Sequence, residues 1–170
     1  MAKNKIRWGI LSTAKIGRVQ VIPAMQKGSY TEVVAIASAN TAKVKQAADE
    51  LDIPRIYGSY EELLAADDID AVYNPLPNHL HVPYAIKALQ AGKHVLCEKP
   101  IALSAKEAAQ LIAARDRMRV KIGEAFMVRT HPQWLRAREL VRGGAIGELR
   151  AIVSIFSYFN RDPKNVRNIA

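Results

Sequence analysis

Apolar blocks of strand length alternate with stretches of helical period along most of the chain. "IRWGIL" (6–11), "EVVAIAS" (32–38), "AVYNPL" (71–76), "HVLCE" (94–98) and "VKIGEAFM" (120–127) are nearly continuous in apolar character. That is expected of strands covered on both faces of a sheet. Between them, Val44, Ala47, Ala48 and Leu51 recur at helical spacing behind a cap at Asn40 or Thr41. Val82, Ile86 and Leu89 do the same ahead of Gly92, which suits a helix C-terminus. Ser104 with Glu107 forms a capping box that opens a helix through Ala108, Leu111 and Ile112, and Ser59 with Glu62 opens a shorter one. Strand and helix alternating in this way predict right-handed crossovers and an α/β fold with a doubly wound parallel sheet.

After residue 128 the rhythm changes. "HPQWLRARELVRGGAIGE" predicts a helix ending at Gly143 and Gly144, followed by a long strand over 149–159 and a loop over the final eleven residues. No later segment can cover that strand, and an uncovered apolar edge is an aggregation template. It is expected to open a second domain, of α+β type, of which this chain carries only the start.

The first strand runs into "GILSTAKIG" (9–17), which has the rhythm of a dinucleotide-binding turn. With Gly17 as the third glycine of that fingerprint, Ser12 and Ala14 fall where the turn glycine and the phosphate-approach glycine normally stand. Both are small. The helix that follows carries Val19, Ile22 and Met25 on one face and would offer its free N–H groups to phosphate. Pro23 inside it predicts a kink or an early end. The bland alternative is a strand turning into a helix, with Gly17 present for packing.

About twenty residues on, where an acidic side chain usually holds the ribose 2′-hydroxyl, the sequence reads "SANTAK" without a carboxylate. Ser38 and Asn40 can hydrogen-bond a phosphate and Lys43 can supply charge, which favours NADP, with NAD as the other option. Against this, Asn40 could serve only as a helix cap and Lys43 could point to water.

"NPLPNHLHVPYA" (74–85) and "CEKP" (97–100) both end strands, the edge at which open α/β sheets bind ligands. His79 and His81 could equally cap or solvate a helix start. Glu98 and Lys99 should project into the same crevice, where a desolvated lysine can move a proton; the plain alternative is a surface salt bridge between them. Cys97 reads as a small buried apolar residue.

The remaining composition narrows the picture. The chain has 170 residues, one cysteine and a net charge of +9. One cysteine leaves no internal disulfide framework, and the His and Cys spacings match no metal site. No apolar run approaches a membrane span and the N-terminus has no secretory pattern, so a cytoplasmic protein without membrane attachment is expected. The positive charge could mark a nucleic-acid binder, but the basic stretches lack interleaved aromatic residues for base stacking, and no nucleic-acid partner is expected.

Taken in order, "GILSTAKIG", "ASAN", "YNPLPNHLHVPYAIKALQAGKHVLCEKP", "RTHP" and "GAIGEL" resemble the Gfo/Idh/MocA oxidoreductases, in the branch of dihydrodiol and xylose dehydrogenases. The resemblance covers essentially the whole chain. It implies an NAD(P)-binding Rossmann domain at 1–128 and, at 129–170, the incomplete beginning of a C-terminal substrate and oligomerisation domain. By resemblance, Ser12, Thr13, Ala14, Lys15 and Ile16 line the pyrophosphate. Ser38 and Lys43, with Asn40 beside them, serve the adenosine ribose and its 2′-phosphate. Pro77, Asn78 and His81 flank the cofactor, Glu98 and Lys99 sit near the nicotinamide, often with a cis bond before Pro100, and Arg129 lies near the cofactor.

The implied activity is hydride transfer between the nicotinamide and a sugar, polyol or related small molecule, with Lys99 as the catalytic residue and a homo-oligomer formed through the C-terminal sheet. Relatives run to about twice this length, and their second proton-transfer residue falls beyond the segment matched here. A non-catalytic dinucleotide-binding or regulatory module is the competing expectation.

Overall fold

Six parallel strands, hydrogen-bonded in the order β3-β2-β1-β4-β5-β6, organise the first part of the chain. They are β1 (Ile6–Leu11), β2 (Thr31–Ala37), β3 (Arg55–Tyr57), β4 (Ala71–Asn74), β5 (His94–Glu98) and β6 (Ile122–Ala125). The structure, a computed structural model, describes residues 5–157, 159 and 161. Helices connect the strands: a π-turn at Gly17–Val21 running into α1 (Ile22–Gln26), then α2 (Thr41–Glu50), α3 (Tyr60–Ala65), α4 (Asn78–Gln90) and α5 (Ala105–Met118). The strand order reverses between β1 and β4, and such a switch point opens a crevice beyond the strands' C-terminal ends.

Alternation along the strands builds two cores. Ile10, Ile36 and Tyr73 face one way and pack with Ile22 of α1 and Val44, Ala47 and Ala48 of α2. Their neighbours Leu11, Ala35, Ala37 and Val72 face the other way, onto Leu63 of α3, Ala85 and Leu89 of α4 and Leu111 of α5. Both faces are therefore covered, as the apolar strands require.

The expected caps are in place. Asn40 accepts from Lys43 N at 2.9 Å, Ser59 from Glu62 N at 3.1 Å and Ser104 from Glu107 N at 3.2 Å. Pro23 does disturb its helix: the turn before it widens, with Ile22 N donating to Gly17 O, and α1 ends at Gln26. The wider turn accommodates a ring that would clash with the preceding turn's carbonyl and that brings no N–H of its own.

Lys93 is 4% exposed and donates through Nζ to Ala66 O at 2.6 Å and Ile69 O at 2.9 Å. It ties the start of β5 to the connection between α3 and β4. Burial pushes its pKa below the ordinary lysine value.

The sequence reading passed over β3, a three-residue strand whose Arg55, Ile56 and Tyr57 pair with Ala35, Ile36 and Ala37. The predicted strand at 149–159 is not formed over its described part, 149–157 and 159, where Ile152, Val153, Ile155, Phe156 and Phe159 are exposed. Its apolar composition is that of a strand, but strand structure also needs a ladder of backbone bonds, and the six-stranded sheet ends at β6. Residue 158 of that prediction and most of the expected final loop lie outside the described residues.

The chain divides into two units, Met1–Phe126 and Met127–Ala170. The second contains a single turn at Met127–Arg129 and the helix α6 (Pro132–Arg142), which His131 caps through Nδ1, accepting from Gln133 N.

Candidate active site

Beyond β1 the chain turns at Ser12, whose φ is +78°. This is the left-handed conformation that normally calls for glycine. Ser12 holds it with help from its own side chain, since Oγ accepts from Ala14 N at 3.2 Å, and Ser12 N donates to Ala37 O of β2 at 2.8 Å. Helical bonding begins with Arg18 N donating to Ala14 O. The amides of Lys15, Ile16 and Gly17 thus belong to the unsatisfied first turn, the donors that bind anions elsewhere.

Gly17 is buried, and a Cβ there would stand 3.3 Å from Tyr73 Cε1 and 3.8 Å from Pro75 Cγ. The helix start therefore lies close on β4, the packing job of the third fingerprint glycine. These features fit a dinucleotide pyrophosphate: a tight turn with small side chains, free amides and a close helix.

Beyond β2, Ser38 is buried and its Oγ accepts from Asn40 N at 3.2 Å. Asn40 is exposed and spends Oδ1 on the α2 cap, which leaves its Nδ2 available. Lys43 is exposed, and its ammonium makes no hydrogen bond or ion pair among the described residues. No carboxylate stands between Ile36 and Lys43.

Beyond β4, a buried polar network shapes the loop at 75–77. Asn74, fully buried, donates through Nδ2 to His81 O at 3.1 Å and accepts from Leu76 N at 3.2 Å. His81 is 1% exposed, with Nε2 2.6 Å from Leu76 O and Nδ1 2.7 Å from Pro100 O. Its ring is used inside the protein, whereas Pro77, Asn78 and His79 are exposed at the start of α4.

Beyond β5, Glu98 is half-buried and accepts from Tyr73 Oη at 2.7 Å and from Lys99 N at 3.3 Å. Lys99 is exposed and forms no ion pair with Glu98 among the described residues. The Lys99–Pro100 peptide is cis. Glu124 of β6 accepts from Ile101 N at 2.9 Å.

The first unit thus carries Ser12–Ile16, Ser38, Asn40, Lys43, Pro77, Asn78, His81, Glu98 and Lys99 on or just after the C-terminal ends of β1, β2, β4 and β5. Arg129 belongs to the second unit, exposed in its first turn. Sequence reasoning missed Tyr73, Asn74 and Glu124. Tyr73 and Asn74 stood inside a strand-like run, where a polar group facing a neighbouring strand leaves no trace in the pattern.

This sheet order, glycine-poor turn and strand-end cluster define a dinucleotide-binding α/β domain. Residues 6–126 match the family described as "Oxidoreductase family, NAD-binding Rossmann fold", the Gfo/Idh/MocA family, and the chain belongs to it. Among its relatives, a D-xylose 1-dehydrogenase (NADP(+)) of Haloferax volcanii is 50% identical over 153 residues, covering 90% of this chain and 46% of that protein. An uncharacterized oxidoreductase of Rhizobium meliloti is 52% identical over 165 residues, covering 97% of this chain and 49% of that one. A 3-ketoreductase from Actinomadura kijaniata, solved with NADP and TDP-benzene, superposes with a TM-score of 0.81 at 37% identity, covering 85% of this chain and 44% of that one. The chain spans about half the length of the curated relatives it matches. No helix among the described residues is long and apolar enough to cross a membrane.

Proposed function

We propose that the chain is the cofactor-binding half of an NADP-dependent oxidoreductase acting on a sugar, polyol or related alcohol or carbonyl. The observation that carries this reading is the pairing of the Ser12 turn with the carboxylate-free edge of β2, where the Lys43 ammonium makes no hydrogen bond or ion pair among the described residues. The names of the relatives support it: one is an NADP-dependent xylose dehydrogenase and another a ketoreductase solved with NADP.

The amides of Lys15 and Ile16, with the small Ser12, Thr13 and Ala14, hold the pyrophosphate. Ser38, Asn40 and Lys43 receive the ribose 2′-phosphate. Pro77, Asn78 and Glu98 border the nicotinamide end. When bound, the nicotinamide supplies a two-electron hydride donor or acceptor. Lys99 hydrogen-bonds the reacting oxygen, giving it a proton in reduction and taking the hydroxyl proton in oxidation.

The complete enzyme is a cytoplasmic homo-oligomer, with Ile152, Val153, Ile155 and Phe156 in the buried sheet that joins its copies. Fluorescence titration with NADPH, followed by NADP reduction assayed over a panel of aldoses and polyols, tests the proposal. NADPH binding by this chain supports it. Saturable binding with no turnover in the full-length protein would instead favour the non-catalytic module.

A further inference from the structure

His81 has both ring nitrogens within hydrogen-bond distance of backbone carbonyls, Nε2 at 2.6 Å from Leu76 O and Nδ1 at 2.7 Å from Pro100 O. A carbonyl oxygen only accepts, so each contact needs an N–H on the ring, and a neutral imidazole has one. With the ring 1% exposed, water cannot relieve the clash of an unprotonated nitrogen with a carbonyl. We infer that His81 is held as an imidazolium that clamps the loop after β4 to the turn after β5, and so acts as a positioning residue for Lys99.

The surroundings answer the charge. The peptide between Pro100 and Ile101 directs its carbonyl at His81 Nδ1 and its N–H at Glu124 Oε1, 2.9 Å away. Its dipole therefore lies between an imidazolium and a carboxylate, aligned with both. Glu124 thereby acts as a counter-charge through one peptide group. His81 is the fourth residue of α4, and the positive end of that helix works against the cation. Two charge-assisted hydrogen bonds outweigh that single, distance-weakened effect.

The geometry of the loops depends on the same ring. Leu76 is held from both sides, its N–H by Asn74 Oδ1 and its C=O by His81, and Asn74 in turn holds the His81 carbonyl. On the other side, the residue bonded to His81 directly follows Lys99. No element beyond β1 or β2 takes part, so the clamp concerns the nicotinamide end of the site and leaves the adenosine end alone. This consequence rests on the function proposed above; the protonation of the ring does not.

Nitrogen-detected NMR of the intact chain, labelled in histidine, reads the ring directly at neutral pH. Two protonated nitrogens on His81, both in slow exchange with water, are expected; a single one overturns the inference. Titration of His81→Phe with NADPH and with adenosine 2′,5′-bisphosphate tests the positioning role. NADPH should weaken about tenfold while the bisphosphate binds as before, and equal weakening of both would overturn it. Should His81→Phe fail to fold, the NMR result on the unaltered chain still decides. Failure of the unaltered chain to bind NADPH, with two ring protons present, would count against the proposed cofactor and not against the clamp.

Discussion

Tyr73 Oη donates to Glu98 Oε1 at 2.7 Å, so a fully buried phenol in β4 supports a half-buried carboxylate at the end of β5. The same ring lies where a Cβ on Gly17 would come to 3.3 Å. One side chain therefore touches the start of the first helix and holds the acid that precedes Lys99. Burial, and then the hydrogen bond to Glu98, push the Tyr73 pKa well above its ordinary value, which keeps it a donor.

Tyr73→Phe removes that donor without changing the packing volume. The expected loss of stability is about 1 kcal/mol, the usual net value of one such bond. Denaturant midpoints of the two proteins check it, with an unchanged slope showing that the fold is retained.

At Ser12 the left-handed backbone costs a non-glycine residue about 1–2 kcal/mol. Ser12→Gly removes that cost but also the Oγ bond to Ala14 N, so its melting temperature should match or slightly exceed the parent's. Ser12→Val keeps the strained φ and adds a branched Cβ, and it should melt below both. Parallel thermal melts give the order directly.

Cys97 is fully buried, and desolvation pushes its thiol up to about 12. The thiolate is the reactive form, so a thiol reagent at mildly alkaline pH should label the native chain only as fast as it opens. Labelling in denaturant should be fast. Rapid labelling of the native chain would contradict the packing of β5.

Asp70 accepts from Arg7 three times, from N at 2.8 Å, Nε at 3.0 Å and Nη2 at 2.6 Å. The Arg7 guanidinium holds the Asp70 carboxyl below its ordinary pKa. A carboxyl depressed in the folded state adds stability that is present above its unfolded pKa, about 3.9, and is lost as pH falls through the folded value. Asp70→Asn should therefore be less stable than the parent at neutral pH, with the gap closing in acid. Urea midpoints across that range measure it.

Where the chain repeats its own period, the fold was legible. The apolar blocks at 6–11 and 94–98 coincide with β1 and β5, and Asn40, Ser59 and Ser104 cap helices as their spacing implies. β3 was not, because three residues cannot display a period of two and Ile56 is exposed. The segment 149–157 has strand composition but is not a strand, and composition carries no information about the ladder a strand must join. In the candidate site, the Ser12 turn and the absent carboxylate after β2 could be read from spacing. The His81 clamp could not, since its partners are carbonyl groups that every residue possesses.

An NADP site in this chain would discriminate the 2′-phosphate through Lys43. Parallel calorimetric titrations with NADPH and NADH, on the parent and on Lys43→Ala, test it most directly. NADPH should bind more tightly than NADH, and Lys43→Ala should weaken NADPH about tenfold, the loss of one phosphate contact, with NADH unchanged. Equal affinities for the two cofactors in the parent, or no binding of either by a chain that melts cooperatively, would contradict it.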